Sequence, residues 1–138
     1  MKNQKSTVCQ IANRTKGMSR SEAFRNAWAI VKGRALEKVN GVTYGRRQEA
    51  IRHLERYAPQ SVRVQLVREW DNPVDSNAIA VYVSVGSSRA YKMGYLSTGA
   101  AATVAPAIDN GVIIRAAAVK IVGGFMGLRY GLRIVVAA

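Results

Sequence analysis

Cys9 is the only cysteine in the chain, and His53 is the only histidine. One thiol cannot close an intrachain disulfide, and one thiol with one imidazole gives too few ligands for a zinc-type site. Acid is scarce as well: eight Asp and Glu stand against 21 Lys and Arg, a formal net charge of +13. The longest weakly polar run, GAAATVAPAI, falls well short of the roughly 18 apolar residues a membrane-spanning helix needs. The opening segment MKNQKSTVCQIANRTKG lacks the apolar stretch of a secretory signal. These absences predict a cytoplasmic protein with no membrane partner, no metal and no other cofactor.

Hydrophobic residues make up 49% of the chain and charged residues 21%, so a globular core is available and only the sign of the charge is unusual. The charge is graded, with net +7 over residues 1–40, +4 over 41–68 and +2 over 69–138. A cationic chain of this kind suits a polyanionic partner, nucleic acid above all. Against that background, three of the eight acidic residues (Glu69, Asp71 and Asp75) crowd into REWDNPVDSNAIAVYV.

Residues 1–18, which carry Lys2, Lys5, Arg14 and Lys16, show no sustained apolar period and are expected to form a basic flexible tail. Residues 19–40 are expected to hold an amphipathic helix and a connection. Ser19 and Glu22 form a capping box, Phe24, Ala27, Trp28 and Val31 recur at helical spacing, and Gly33 stops the pattern. RRQEAIRHLERYAP predicts a second helix with Ala50, Ile51, Leu54 and Tyr57 inward, Arg47, Arg52 and Arg56 outward, and Pro59 as its end. ALEKVNGVTYG is expected to connect into a short strand. SVRVQLVREW, NAIAVYVSV, AYKMGYLS, VIIRAAAVKIV and LRYGLRIVV then read as further strands, with TGAAATVAPAIDNG as a small helix. Five or six short strands with two inserted helices predict a mostly β, α+β domain built as a small antiparallel barrel or strongly bent sheet.

Reactive groups are few. His53 follows Glu49 by four residues on a helix, the spacing of an ordinary surface pair. DNPVDSNAIAVY lacks the sixth-position Gly and twelfth-position Glu of a calcium loop. GGFMGLRYG lacks the Lys and Ser or Thr of a phosphate-binding loop, so a hairpin with close backbone approach explains its glycines. In the acidic stretch, Asp and Asn side chains can accept from backbone N–H groups two residues on, and Pro73 presets one dihedral, so a tight turn is expected before the strand near Ala78. A carboxylate fixed on such a turn could also accept a hydrogen bond from a sugar hydroxyl.

VREWDNPVDSNAIAVYV, then MGYLS, the Ala-rich helix through IDNG, and VKIVGG before a last strand together resemble the HIRAN domain over residues 41–138. Members occur attached to Swi/Snf-type helicases of fork repair and as small standalone bacterial or phage proteins, and this chain resembles the latter. The resemblance implies an OB-like antiparallel barrel that binds DNA and, in helicase-linked members, captures the 3′ end of a single strand. On that likeness Asp75 would accept the terminal hydroxyl, the Val74 amide would assist, Tyr44 would stack on a base, and Asn72 would line the same turn. Helicase-linked members have an Arg before the stacking aromatic and an aromatic before the Asp, where this chain has Thr43 and Val74; around the Gly-x-Leu segment it has Tyr95 and Thr98 in place of His and Lys.

The expected function is therefore a nonenzymatic module that binds single-stranded DNA. Arg46, Arg47 and Arg52 would supply charge, and Tyr44 and Tyr95 would supply stacking. Two other readings stay open on the residues alone. One is a protein-interaction adaptor using a sheet edge or the Trp28 helix; the other is a metal-dependent nuclease using Glu69, Asp71 and Asp75.

Overall fold

The computed structural model describes residues 3–138, with the backbone alone described over residues 117–119. The described residues form six strands and four α-helices. The strands are β1 (Ala35–Asn40), β2 (Val62–Arg68), β3 (Ile79–Val85), β4 (Tyr91–Leu96), β5 (Arg115–Gly123) and β6 (Tyr130–Ala137). The helices are α1 (Gln4–Arg14), α2 (Arg20–Val31), α3 (Arg47–Leu54) and α4 (Thr98–Asp109), and Pro59–Ser61 form a short 3-10 turn ahead of β2. All strand pairs are antiparallel, in the order β2-β3-β4-β1-β6-β5, and the two end strands β2 and β5 lie against each other. The sheet is thus a nearly closed, OB-like barrel with helices, as the strand pattern predicts.

Closure turns on β1. Its first four residues, Ala35 to Lys38, pair with β6, whereas Val39 and Asn40 pair with Leu96 and Tyr95 of β4. One strand therefore serves two halves of the sheet, the arrangement by which a sheet turns a barrel corner. Gly94 permits it: a Cβ built there would lie 2.0 Å from the Asn40 carbonyl oxygen and 2.9 Å from Val39. The Val81/Tyr82 bulge in the β3–β4 pairing sits beside it and adds local bend.

The core is filled from both sides of the sheet. Ile79, Val81, Met93, Leu132 and Ile134 are fully buried strand residues, and Ile51 and Leu54 of α3 close one end. Over Gly123 to Leu128 the hairpin reading holds: a Cβ at Gly124 would run into the Tyr130 ring at 2.1 Å, so the glycine lets the ring lie flat on the backbone.

Several expectations are corrected. Residues 1–18 are not a flexible tail over their described part: Asn3 caps α1 by accepting from the Ser6 amide, and Val8, Ile11 and Ala12 are buried against the core. The spacing of those three residues is i, i+3, i+4, one helical stripe that a polar, basic sequence conceals. Lys2 lies outside the described residues. The 19–40 segment holds the expected helix, with Ser19 Oγ accepting from the Glu22 amide and Gly33 following it, but Ala23, Ala27 and Ile30 are its buried residues, with Phe24, Trp28 and Val31 partly buried against the same core. Its end is β1, so the sheet starts at residue 35 and a boundary at 41 would cut through it. In α3, Tyr57 lies beyond the helix end and is exposed, and Glu49 pairs with Arg46 at 2.9 Å instead of with His53.

Two glycines five positions apart test the corner. Gly94→Ala must displace backbone and is expected to cost roughly 1–3 kcal/mol, the usual penalty of overpacking. Gly99→Ala, in the first turn of α4 with open space around its Cβ position, is expected to be neutral or to stabilise by about 0.5 kcal/mol. Urea unfolding of the two variants checks the contrast; equal midpoints would remove Gly94 from its role at the corner.

Candidate nucleic-acid interface

The Asn72–Asn77 turn forms as the residue types predict. Asn72 Oδ1 accepts from the amides of Val74 (2.9 Å) and Asp75 (3.1 Å), and Asp75 Oδ1 accepts from the amide of Asn77 (2.9 Å). Its ends are tied by backbone as well, Ala78 N–H donating to the Asp75 carbonyl and Glu69 N–H to the Ala78 carbonyl.

Two carboxylates anchor this turn to the barrel. Glu69 receives Lys92 Nζ at 2.8 Å, the Tyr95 hydroxyl at 2.9 Å and Asn72 Nδ2 at 3.1 Å, while Lys92 also donates to the Tyr95 oxygen. The Lys92 hydrogen bond is the largest influence on Glu69 and holds its carboxyl below the ordinary value of 4.5, against the opposing effect of partial burial. Burial alone would lower Lys92, but its bonds to Glu69 and Tyr95 outweigh that and raise it. On the other flank, Arg68 grips both oxygens of Asp109 at 3.1 Å, and Trp70 Nε1 donates to the same carboxylate at 2.9 Å. Arg68 lies 5.5 Å from the Trp70 ring and holds the Asp109 carboxyl below its ordinary range.

Beside the turn is a cavity of about 350 Å³ lined by Asn40, Asn72, Val74, Asp75, Tyr95 and Thr98, with Ala78 and Leu96. Four of the residues singled out from sequence (Asn72, Val74, Asp75 and Tyr95) thus meet in one hollow. Asn40 was not anticipated there; it arrives through its pairing with Tyr95, and its only sequence signal is its place just before GVTYG. The Val74 amide, expected to reach a sugar hydroxyl, is engaged by Asn72 Oδ1 instead, because the Asx turn takes that N–H first. Its side chain is 93% exposed at the cavity mouth. Asp75 keeps one oxygen outside every hydrogen bond among the described residues.

Tyr44 lies outside that lining, on the turn that continues from Asn40 through Gly41, and is 70% exposed. The turn is braced from α3. Arg47 donates to the Gly41 carbonyl at 2.7 Å with its guanidinium 5.8 Å from the Tyr44 ring. Gln48 Nε2 donates to the carbonyls of Val42 and Tyr130, and Gln48 Oε1 accepts from the Tyr130 amide. Tyr95 is a fixed wall: its hydroxyl is tied to Glu69, and Lys92 Nζ lies 4.4 Å from its ring centroid. Arg46 and Arg52 do not line this cavity: Arg46 borders a groove between α3 and the β3–β4 hairpin, and Arg52 a hollow on the exposed side of α3.

Among the described residues no cluster of three or more His, Cys, Asp or Glu is arranged to hold a metal ion, and no helix is long and apolar enough to cross a membrane. A family model described as the HIRAN domain matches residues 37–137. No curated protein and no solved structure matches the chain.

The Glu69 arrangement has a pH signature. A carboxyl whose folded value is depressed adds stability that is complete above its unfolded value and is lost as pH falls through the folded one. For Glu69 the loss therefore begins below about 4.5 and continues into stronger acid, with Asp109 adding its share below 3.8. Glu69→Gln is expected to be less stable than the parent near neutrality and to lose less than the parent between about pH 6 and about pH 3. Urea unfolding across that range reads both; parallel curves would mean that Glu69 is not the clamp.

Proposed function

Because the chain belongs to the HIRAN domain family, whose members are DNA-binding modules, we propose that it binds single-stranded DNA at free 3′ ends, holding the strand without cutting it. The observation that carries this reading is Asp75. Its carboxylate lines a mostly apolar cavity with one oxygen held by the Asn77 amide and the other open, and a terminal sugar hydroxyl is a donor of the right size and kind. The charge of +13 draws the strand in and the carboxylate orients its end.

Roles divide accordingly. Asp75 accepts from the hydroxyl. Asn72 positions Asp75 and is itself positioned by Glu69. Val74 contributes apolar surface at the mouth, and its amide serves the turn. Tyr44 is the stacking platform for a base outside the cavity, with Arg47 behind its ring adding cation–π attraction and a charge for the neighbouring phosphate.

A metal-dependent nuclease would need converging open carboxylates, yet Glu69 is engaged by Lys92, Tyr95 and Asn72, and only Asp75 lines the cavity. The adaptor reading needs an open edge or helix face; here β2 lies against β5, and Phe24, Trp28 and Val31 are partly buried against the core.

Substitutions at two positions test the proposal. Asp75→Asn keeps an oxygen for the Asn77 amide, so the turn survives, but a charge-assisted bond to the hydroxyl becomes a neutral one. The parent is expected to prefer a 3′-hydroxyl over a 3′-phosphate end by about 1 kcal/mol and the variant to lose that preference, as read by fluorescence anisotropy. Equal binding of both ends by the parent would sink end capture. Tyr44→Ala is expected to weaken single-strand binding by roughly 1–3 kcal/mol and Tyr44→Phe to weaken it little. Since Tyr44 is largely exposed, both should melt with the parent; a lowered melting temperature that tracks the binding loss would make it a structural residue instead.

A further inference from the structure

A cavity of about 500 Å³, larger than the Asp75 hollow, is a groove between α3 and the β3–β4 hairpin. Its floor is apolar, formed by Leu54, Val83 and Met93, and Tyr91 stands at its side 45% exposed. Arg46 and Arg89 form its rim, and a second hollow carries the outer face of α3 onward with Arg52 and Arg56. The one carboxylate there, Glu49, is paired with Arg46. Arg52, Arg56 and Arg89 have no carboxylate within 4.0 Å among the described residues.

We infer that this groove is a second subsite for the same strand, taking a base over its apolar floor against Tyr91 and the flanking phosphates on Arg89 and Arg46. The inference rests on the single-strand reading above and adds Arg89 and Tyr91 to it. An apolar floor with an aromatic wall suits any nucleobase, and Arg89, which has no acidic partner among the described residues, suits phosphate, with Arg46 beside it sharing its charge with Glu49; an aliphatic ligand would explain the floor but not the charge.

Continuity with the end pocket is built into the chain. Asn40 lines the Asp75 cavity, Tyr44 follows on the connecting turn, and Arg46 is on the rim of the groove. Residues 40 to 46 can span at most about 21 Å, a distance covered by about six nucleotides at the ~3.4 Å spacing of stacked bases. A strand held at its end by Asp75 and stacked on Tyr44 therefore reaches the groove within a few nucleotides.

The test is length. Oligodeoxynucleotides with free 3′ ends, of about three and about twelve nucleotides, reach the end pocket alone or both sites. The parent is expected to bind the longer one more tightly. Arg89→Ala and Tyr91→Ala should each lose roughly tenfold on the long oligonucleotide while leaving the short one and the 3′-end preference unchanged. Arg89→Glu, an exposed position with no packing role, should lose more than Arg89→Ala and secures the result should Tyr91→Ala prove unstable. Long-oligonucleotide binding that survives all three substitutions overturns the groove while the end pocket stands. Failure of the parent to bind either length removes both. Displacement of the long oligonucleotide by poly-glutamate, with no dependence on oligonucleotide length, would make the groove an acidic-protein docking face and overturn the inference as well.

Discussion

Glu69 is the residue on which the candidate site depends. It stands where β2 gives way to the Asn72–Asn77 turn, and its two oxygens take donors from β4 on one side and from the turn on the other. Lys92 and Tyr95 fix the carboxylate, the carboxylate fixes the Asn72 amide, and the Asn72 oxygen fixes the amides of Val74 and Asp75. Asp75 thereby inherits the position of a β-strand although it sits on a loop. The acidic crowding in a strongly basic chain has two physical causes: Glu69 organises the turn, and Asp75 gives the cavity its acceptor.

Barrel closure supplies the opposite wall. Only because the Asn40 carbonyl can approach Gly94 does β1 reach β4, and only through that pairing does Asn40 face the cavity next to Tyr95. The turn that follows Asn40 is then held by Gln48, which also takes the Tyr130 backbone, so the Tyr44 platform is coupled to the β5–β6 hairpin as well as to α3. Stability and site geometry share the same few residues here. Substitutions at Gly94, Gln48 or Glu69 act on both.

The two N-terminal helices lie outside the matched span of residues 37–137, yet they are integral to the core. α1 packs on α2 and α4, and Ile11 and Ala27 are fully buried. Their basic residues contribute to the overall field from a fixed scaffold. A truncation meant to probe the charge of this region would also expose buried apolar surface.

The sequence by itself determined most of the strands and the turn, because both are local. Alternation over Val62–Arg68 and the Asn72 and Asp75 side chains acting on amides two or three residues ahead need nothing from elsewhere in the chain. The residues DNPVDSNAIAVYV and MGYLS were also enough to indicate the family. Tertiary structure decided what local pattern could not express. Helix α1 exists because α2 and α4 cover a three-residue stripe too short to stand out in a polar segment. Asn40 and Thr98 join Asp75 through strand pairing across tens of residues. Arg46 and Arg52, near Tyr44 in sequence, do not line the Asp75 cavity: Arg46, at the N-cap of α3, borders the groove toward the β3–β4 hairpin, and Arg52 lies on the exposed face of the helix. How the local turn is held against the barrel was likewise a tertiary matter: Glu69, bound by Lys92 and Tyr95 of β4, accepts from the Asn72 amide.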